Sequence, residues 1–133
     1  MTLLDRYLAR LEKTIRTRKE IEVEELEIET KSQGIERSAE FYARLSFYDA
    51  SQLAASEKLD VERNAIIKTR YAYHYQDSDG ALIFRYDNVP HHPEVETHPH
   101  HKHIGNRVVP AEPPDLGDIL REIDNVLYRD DES

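Results

Sequence analysis

An alternation of apolar and polar residues with a period of two runs through residues 21–87, and it restricts the fold more than any other feature of the sequence. This period is that of a β-strand with one buried face, and antiparallel sheets commonly bury only one face. It is clearest in residues 38–49, where one side of the strand is apolar: Ala39, Phe41, Ala43, Leu45 and Phe47. We therefore expect an antiparallel meander of about five strands.

Two local signals refine this sheet. The alternation changes parity at Glu24 and Glu25, and a β-bulge there would return the apolar side chains to one face. The turn-forming residues 77–80 predict a hairpin. Matching the apolar faces across that hairpin predicts that Tyr75 pairs with Leu82 and that Ala72 pairs with Arg85.

A helix is predicted on each side of the sheet region. Apolar residues recur at helical spacing near the start of the chain, where Thr2 and Asp5 have the spacing of a capping box. The same spacing returns after Pro113 and Pro114, with Asp115 as the helix cap. The expected fold class is α+β, with the N-terminal and C-terminal helices packed against the sheet.

The predicted organisation is one domain over residues 1–133. Residues 1–20 form a helix, 21–87 the antiparallel sheet, 88–114 a His- and Pro-rich loop, 115–128 a helix and 129–133 a frayed tail. All six prolines of the chain lie in the loop segment, and proline is excluded from the interior of a sheet.

Composition excludes several classes of function. The chain contains no cysteine, which rules out disulfides and thiolate chemistry, and we expect a cytoplasmic protein. It has no apolar stretch long enough to span a membrane and no signal-peptide pattern. The net charge of −9 argues against a protein that coats nucleic acid non-specifically. A local basic patch remains compatible with this charge, and the first 19 residues, with six bases and two acids, are the candidate.

Histidine is concentrated in the predicted loop. Six of the seven histidines lie between His91 and His103. Histidine can transfer protons near neutral pH or bind a metal through a neutral ring nitrogen. Lys102 lies inside the run and makes an anion a better ligand than a cation, so a phosphodiester substrate is favoured and no metal ligands are assigned.

Two further residues are candidates for the same site. Glu57 lies on the apolar side of its predicted strand, where a carboxylate needs partners. It is either a structural acid at a strand end or a carboxylate that faces a cleft. Arg85 shares a strand face with Asp87 just before the loop. Either Arg85 binds phosphate, or the charges on this face are structural and Arg70 forms a cross-strand salt bridge with Asp87.

These residues resemble a known family. The stretch from Leu82 to Asn88 and the two His-Pro motifs at residues 90–94 and 99–103 are similar to the TumE-like toxins of prokaryotic type II toxin–antitoxin modules. Residues 49–57 and the tyrosine-rich residues 71–75 are also similar to that family's patterns, with Ala50 in place of its usual glycine. The resemblance implies a cytoplasmic toxin with a small cognate antitoxin.

Two hypotheses follow. The first is a metal-independent ribonuclease toxin in which His101 and His103 act as acid and base. In this hypothesis Glu57 and Tyr86 orient the catalytic histidines, and five further residues bind the RNA substrate: Arg85, Asp87, His91, His92 and Lys102.

The second hypothesis is a non-enzymatic binding protein. It uses the His-rich loop as a protein-interaction site or as a site for a divalent metal. An exposed edge strand would then meet partner chains, and these include a second copy of the chain in a homodimer.

Overall fold

The computed structural model describes residues 1–128, so the tail predicted at 129–133 lies outside the described residues. Helix α1 spans Leu3–Arg16 and helix α2 spans Leu116–Tyr128. Thr2 and Asp5 form the predicted capping box at the start of α1. Between the helices lies one antiparallel sheet whose strands pair in chain order. These strands are β1 Glu22–Gln33, β2 Glu36–Ser46, β3 Gln52–Glu62, β4 Ala65–Gln76, β5 Leu82–Asp87, β6 His101–Ile104 and β7 Arg107–Pro110.

The α+β class and the two flanking helices are confirmed, but the prediction of about five strands is wrong. The sheet has seven strands, because β6 and β7 form a hairpin inside the segment that was predicted to be a loop. Each of these strands has only four residues. Pro110 is tolerated because it ends β7 at the edge of the sheet, where its missing N–H breaks no interior pairing.

The two faces of the sheet have different environments. The helix face packs against α1 and α2 and forms the core, whose largest side chains include Phe41, Tyr71 and Tyr73. The opposite face, which we call the open face, carries no helix formed by residues 1–128 and presents the alternate residues of each strand, such as Tyr42 of β2 and Ala72 of β4.

Register shifts in three strand pairs set which residues lie opposite each other in the sheet. The predicted bulge near Glu24 is confirmed, because the β1–β2 register shifts between Val23 and Glu25. A second shift lies between Lys58 and Leu59 in the β3–β4 pair. A third lies between Tyr75 and Gln76, and together with a loop over residues 77–81 in place of 77–80 it moves the β4–β5 pairing by two residues from the predicted register. As a result four open-face residues are brought together in two cross-strand pairs, His74 with Arg85 and Ala72 with Asp87.

None of the helices in the described residues is both long enough and apolar enough to cross a membrane.

Candidate functional site

The open face holds a cluster of charged and imidazole groups around the carboxylate of Asp87. Strand β5 places Arg85 and Asp87 on this face, and β6 places His103 and His101 directly opposite them. One carboxylate oxygen accepts hydrogen bonds from Arg85 Nε at 3.0 Å, and the other accepts from the Val89 backbone N–H at 3.0 Å. Asp87 is only 3% exposed, so these contacts fix a carboxylate that water barely reaches.

The surroundings of Asp87 keep it ionised. Burial by itself would raise its pKa, but the Val89 N–H and the Arg85 guanidinium outweigh burial and hold the pKa below its ordinary value. His101 Nε2 lies 3.0 Å from one carboxylate oxygen, and His103 Nε2 lies 3.6 Å from the other. Asp87 is therefore a fixed negative charge that joins one arginine and two histidines.

A third histidine completes this group. The loop after β5 carries His92 over the end of the sheet, where its ring meets those of His101 and His103 edge to face. One ring nitrogen from each of the three residues lies within 4.8 Å of the other two. We call His92, His101 and His103 the His triad, and among the described residues its members are those whose spacing could hold a metal ion.

The members of the cluster differ in their access to solvent. The side chains of Arg85, His103 and His92 are 36%, 27% and 31% exposed, whereas that of His101 is 2% exposed. Burial lowers the pKa of His103, although the nearby Asp87 opposes this effect. A substrate on the open face would therefore meet Arg85, His103 and His92 first, with Asp87 and His101 behind them.

His74 of β4 extends the cluster toward the middle of the sheet. Its Nδ1 lies 3.3 Å from Arg85 Nη1. Burial and the adjacent guanidinium lower its pKa, which favours the neutral ring that can accept a hydrogen bond from Arg85.

Glu57, predicted to orient the histidines, lies in a different environment on the helix face. It is 2% exposed, and its two carboxylate oxygens accept hydrogen bonds from Tyr7 of α1 at 2.6 Å and from Tyr73 of β4 at 2.5 Å. Lys68 Nζ lies 3.9 Å away and also donates to the Pro114 carbonyl. In the described chain none of the hydrogen bonds or ion pairs of Glu57 involves a histidine, so its contacts are those of a structural acid.

Tyr86 and Lys102 also lie on the helix face. They pair across β5 and β6, and both donate to the carboxylate of Glu122 on α2, at 2.5 Å and 2.6 Å. Burial alone would lower the pKa of Lys102, but the hydrogen bonds to Glu122 and Tyr86 raise it overall. Both residues thus hold α2 on the sheet. Tyr86 was predicted to orient the catalytic histidines and Lys102 to bind RNA, and the structure places both on the face opposite Asp87.

The remaining histidines are dispersed. His91 is exposed, and its backbone N–H donates to the Val89 carbonyl. His100 stacks on Tyr71 of the helix face, with its Nδ1 2.9 Å from the Tyr71 hydroxyl. The sequence signal that distinguishes His101 and His103 from these is the alternation His-Lys-His-Ile in β6, which was missed because the segment was taken for a loop.

Comparison with known proteins adds the family. The family described as Toxin TumE matches residues 11–128, which include every strand and the whole Asp87 cluster. Neither the comparison with curated proteins nor that with solved structures found a match. Membership of this family implies the toxin of a toxin–antitoxin module and a cognate antitoxin as its partner. The chain belongs to the TumE toxin family.

Proposed function

We propose that this toxin acts on RNA and cleaves its phosphodiester backbone at the Asp87 cluster without a metal. The observation that carries the proposal is that a partly exposed arginine and a partly exposed histidine, Arg85 and His103, both contact the buried carboxylate of Asp87 on the open face. A guanidinium suits the phosphate oxygens, and imidazoles suit proton transfer near neutral pH.

The groups take complementary parts in this chemistry. One imidazole removes the proton of the ribose 2′-hydroxyl, whose oxygen attacks the phosphorus. The 5′-oxygen then leaves with a proton from a second imidazole, so that the products carry a 2′,3′-cyclic phosphate and a 5′-hydroxyl. His103 and His92 are the triad members with partly exposed side chains, and the proposal assigns them the contact with RNA.

The roles of the buried groups differ from those predicted from the sequence. His101 was expected to exchange protons with substrate, but it is enclosed between Asp87 and the Pro99 carbonyl. Its proposed role is to position Asp87 and His103. Asp87 replaces Glu57 as the orienting carboxylate, because it is the acid that contacts the imidazoles. Of the two predicted phosphate ligands, Arg85 lies in the cluster and Lys102 does not.

The basic α1 is not adjacent to this site. It packs on the helix face, so its exposed bases lie on the opposite side of the sheet from Arg85. Phosphate recognition is therefore assigned to the cluster itself.

The experiment is cleavage of a 5′-labelled RNA by purified protein that has been dialysed against a chelator. We expect products with cyclic phosphate ends, and no cut where the nucleotide 5′ to the scissile phosphate is 2′-deoxy. His103→Ala and Arg85→Ala should each slow cleavage by about 10²-fold, the usual loss for a group that stabilises the transition state. Arg70→Ala is the matched control, since Arg70 is an exposed arginine of β4.

Two results would refute this proposal. One is wild-type protein that leaves every RNA intact while it still arrests growth. The other is His103→Ala and Arg85→Ala variants that cleave as fast as Arg70→Ala.

The non-enzymatic alternative also has a specific observation in its favour, the convergence of the His triad. In this second proposal the toxin binds its target without cleaving it. A homodimer through the exposed edge of β1 belongs to the same proposal, and sedimentation of the purified chain tests it.

A further inference from the structure

We propose that the His triad is a binding site for a divalent transition-metal cation of the zinc class, with Asp87 as the fourth ligand. Imidazole nitrogen and carboxylate oxygen are the ligands that zinc shares in proteins, at about 2.0–2.2 Å from the metal. Four such ligands around one ion lie roughly 3.4 Å from one another. His101 Nε2 is 3.0 Å from one carboxylate oxygen of Asp87 and His103 Nε2 is 3.6 Å from the other, so the carboxylate lies near ligand spacing from two of the three histidines.

The third histidine needs only a small movement. The triad nitrogens lie within 4.8 Å of one another, so closing on an ion requires a shift of roughly 1 Å by side chains. His92 is the member that can provide it, because it lies on the loop after β5 and its side chain is 31% exposed. His101 and His103 lie on β6 and supply the fixed half of the site.

The rings are oriented as in metal sites. A metal-bound histidine usually donates its second ring N–H to a carboxylate or a backbone carbonyl, which fixes the ring and leaves the other nitrogen for the ion. His101 Nδ1 is 2.9 Å from the Pro99 carbonyl, and His92 Nδ1 is 3.2 Å from Glu94 Oε2. In both residues this arrangement leaves Nε2 for a metal.

Charge also favours a cation at this point. His101 Nε2 lies 3.0 Å from the carboxylate of Asp87, and its Nδ1 lies 2.9 Å from the Pro99 carbonyl, so both ring nitrogens face oxygen acceptors. An imidazole with one N–H satisfies only one such acceptor, and a metal ion beside the carboxylate would satisfy the other. The imidazole ligands exclude Mg²⁺ and Ca²⁺, which prefer oxygen.

Metal binding would regulate the toxin, and this part rests on the proposed function. The ion takes the imidazole lone pairs of His103 and His92 that RNA cleavage needs as proton acceptors. The metal-loaded protein is therefore the inactive form, and removal of the metal restores cleavage.

The test is isothermal titration of tag-free, chelator-treated protein with Zn²⁺, and with Mg²⁺ as the control ion. We expect one Zn²⁺ per chain and no heat from Mg²⁺. His92→Ala should weaken Zn²⁺ binding at least tenfold, and so should Asp87→Asn. His98→Ala should not, because His98 is an exposed histidine of the same loop whose ring contacts the backbone carbonyl of His92 and lies outside the triad. Circular dichroism confirms that each variant is folded, and His92 carries the decisive comparison because it lies on a loop.

The outcomes separate the metal site from the proposed function. Absence of Zn²⁺ binding, or equal binding by His92→Ala and His98→Ala, overturns the metal site whatever the RNA assay shows. Stoichiometric binding with suppressed cleavage supports both proposals. Stoichiometric binding that activates cleavage supports the site and overturns both the metal-independent mechanism and the inhibition.

Discussion

Replacement of Glu57 by alanine should destabilise the fold strongly. The side chain is completely buried and accepts hydrogen bonds from the hydroxyls of Tyr7 and Tyr73, and Lys68 lies close to it. A hydrogen bond to a charged group contributes about 1.5–3 kcal/mol, and breaking a buried ion pair costs about 3–5 kcal/mol. The losses of the hydrogen bonds and of the ion pair are not additive, because water can enter beside the half-buried Tyr7 and satisfy some of the freed groups. We therefore expect Glu57→Ala to lower the free energy of unfolding by about 3–5 kcal/mol in total.

Urea unfolding followed by circular dichroism measures this loss. Glu57→Gln keeps the volume and one acceptor, so its loss should be about half that of Glu57→Ala. Glu40→Ala is the matched control, since Glu40 is an exposed acid on the neighbouring strand β2 and should change stability by less than about 0.5 kcal/mol. A loss below about 1 kcal/mol for Glu57→Ala would refute the structural role and return Glu57 to the list of functional candidates.

Two more predictions concern the helix face. Burial and the nearby Glu57 raise the pKa of Tyr7, so the folded state holds that proton more tightly than the unfolded state does. The contribution of Tyr7 to the free energy of unfolding is fully present below about pH 10 and is lost as the pH rises further. In urea unfolding at a series of pH values, the free energy of unfolding of Tyr7→Phe should therefore fall less steeply above about pH 10 than that of the wild type. Glu122→Gln should lower the free energy of unfolding by about 1 kcal/mol, because it weakens the bonds from Tyr86 and Lys102, which are partly exposed to screening. An alkaline slope unchanged in Tyr7→Phe, or wild-type stability for Glu122→Gln, would contradict these assignments.

Periodicity predicted the features that depend on one strand or helix at a time. The capping box at Thr2 and the bulge near Glu24 are local, and both are present. Strand parity also accounts for the position of His74 on the open face, away from the tyrosine-rich core.

Features that depend on distant residues were missed or misplaced. The bulge at Tyr75 and the loop over residues 77–81 leave no mark on the alternation, yet together they decide that Arg85 lies opposite His74 and not opposite Ala72. The carboxylate of Glu57 can be buried because Tyr7 and Lys68 contact it, and these residues lie 50 and 11 positions away in the chain. The β6–β7 hairpin was not predicted, because the six prolines of residues 88–114 argued against any strand in that segment. All of these prolines except Pro110 lie outside the two strands, so they do not prevent the pairing.

The residues of the predicted site lie on both faces of the sheet, because successive side chains of β5 and β6 point in opposite directions. The sequence places Arg85 beside Tyr86 and Lys102 beside His103, and each pair of neighbours points to opposite sides of the sheet. A strand assignment for residues 101–104 would have predicted this division. The protein thus has its candidate functional cluster on the open face and a structural network of hydrogen bonds on the helix face.

The most direct test of this account compares Arg85→Met with Lys102→Met in growth inhibition, at matched protein levels and without the antitoxin. Arg85 contacts Asp87 on the open face, and Lys102 contacts Glu122 on the helix face. The account predicts that Arg85→Met loses its toxicity while Lys102→Met arrests growth as the wild type does. Equal toxicity of the two variants, or loss of toxicity in Lys102→Met alone while both remain folded, would contradict it.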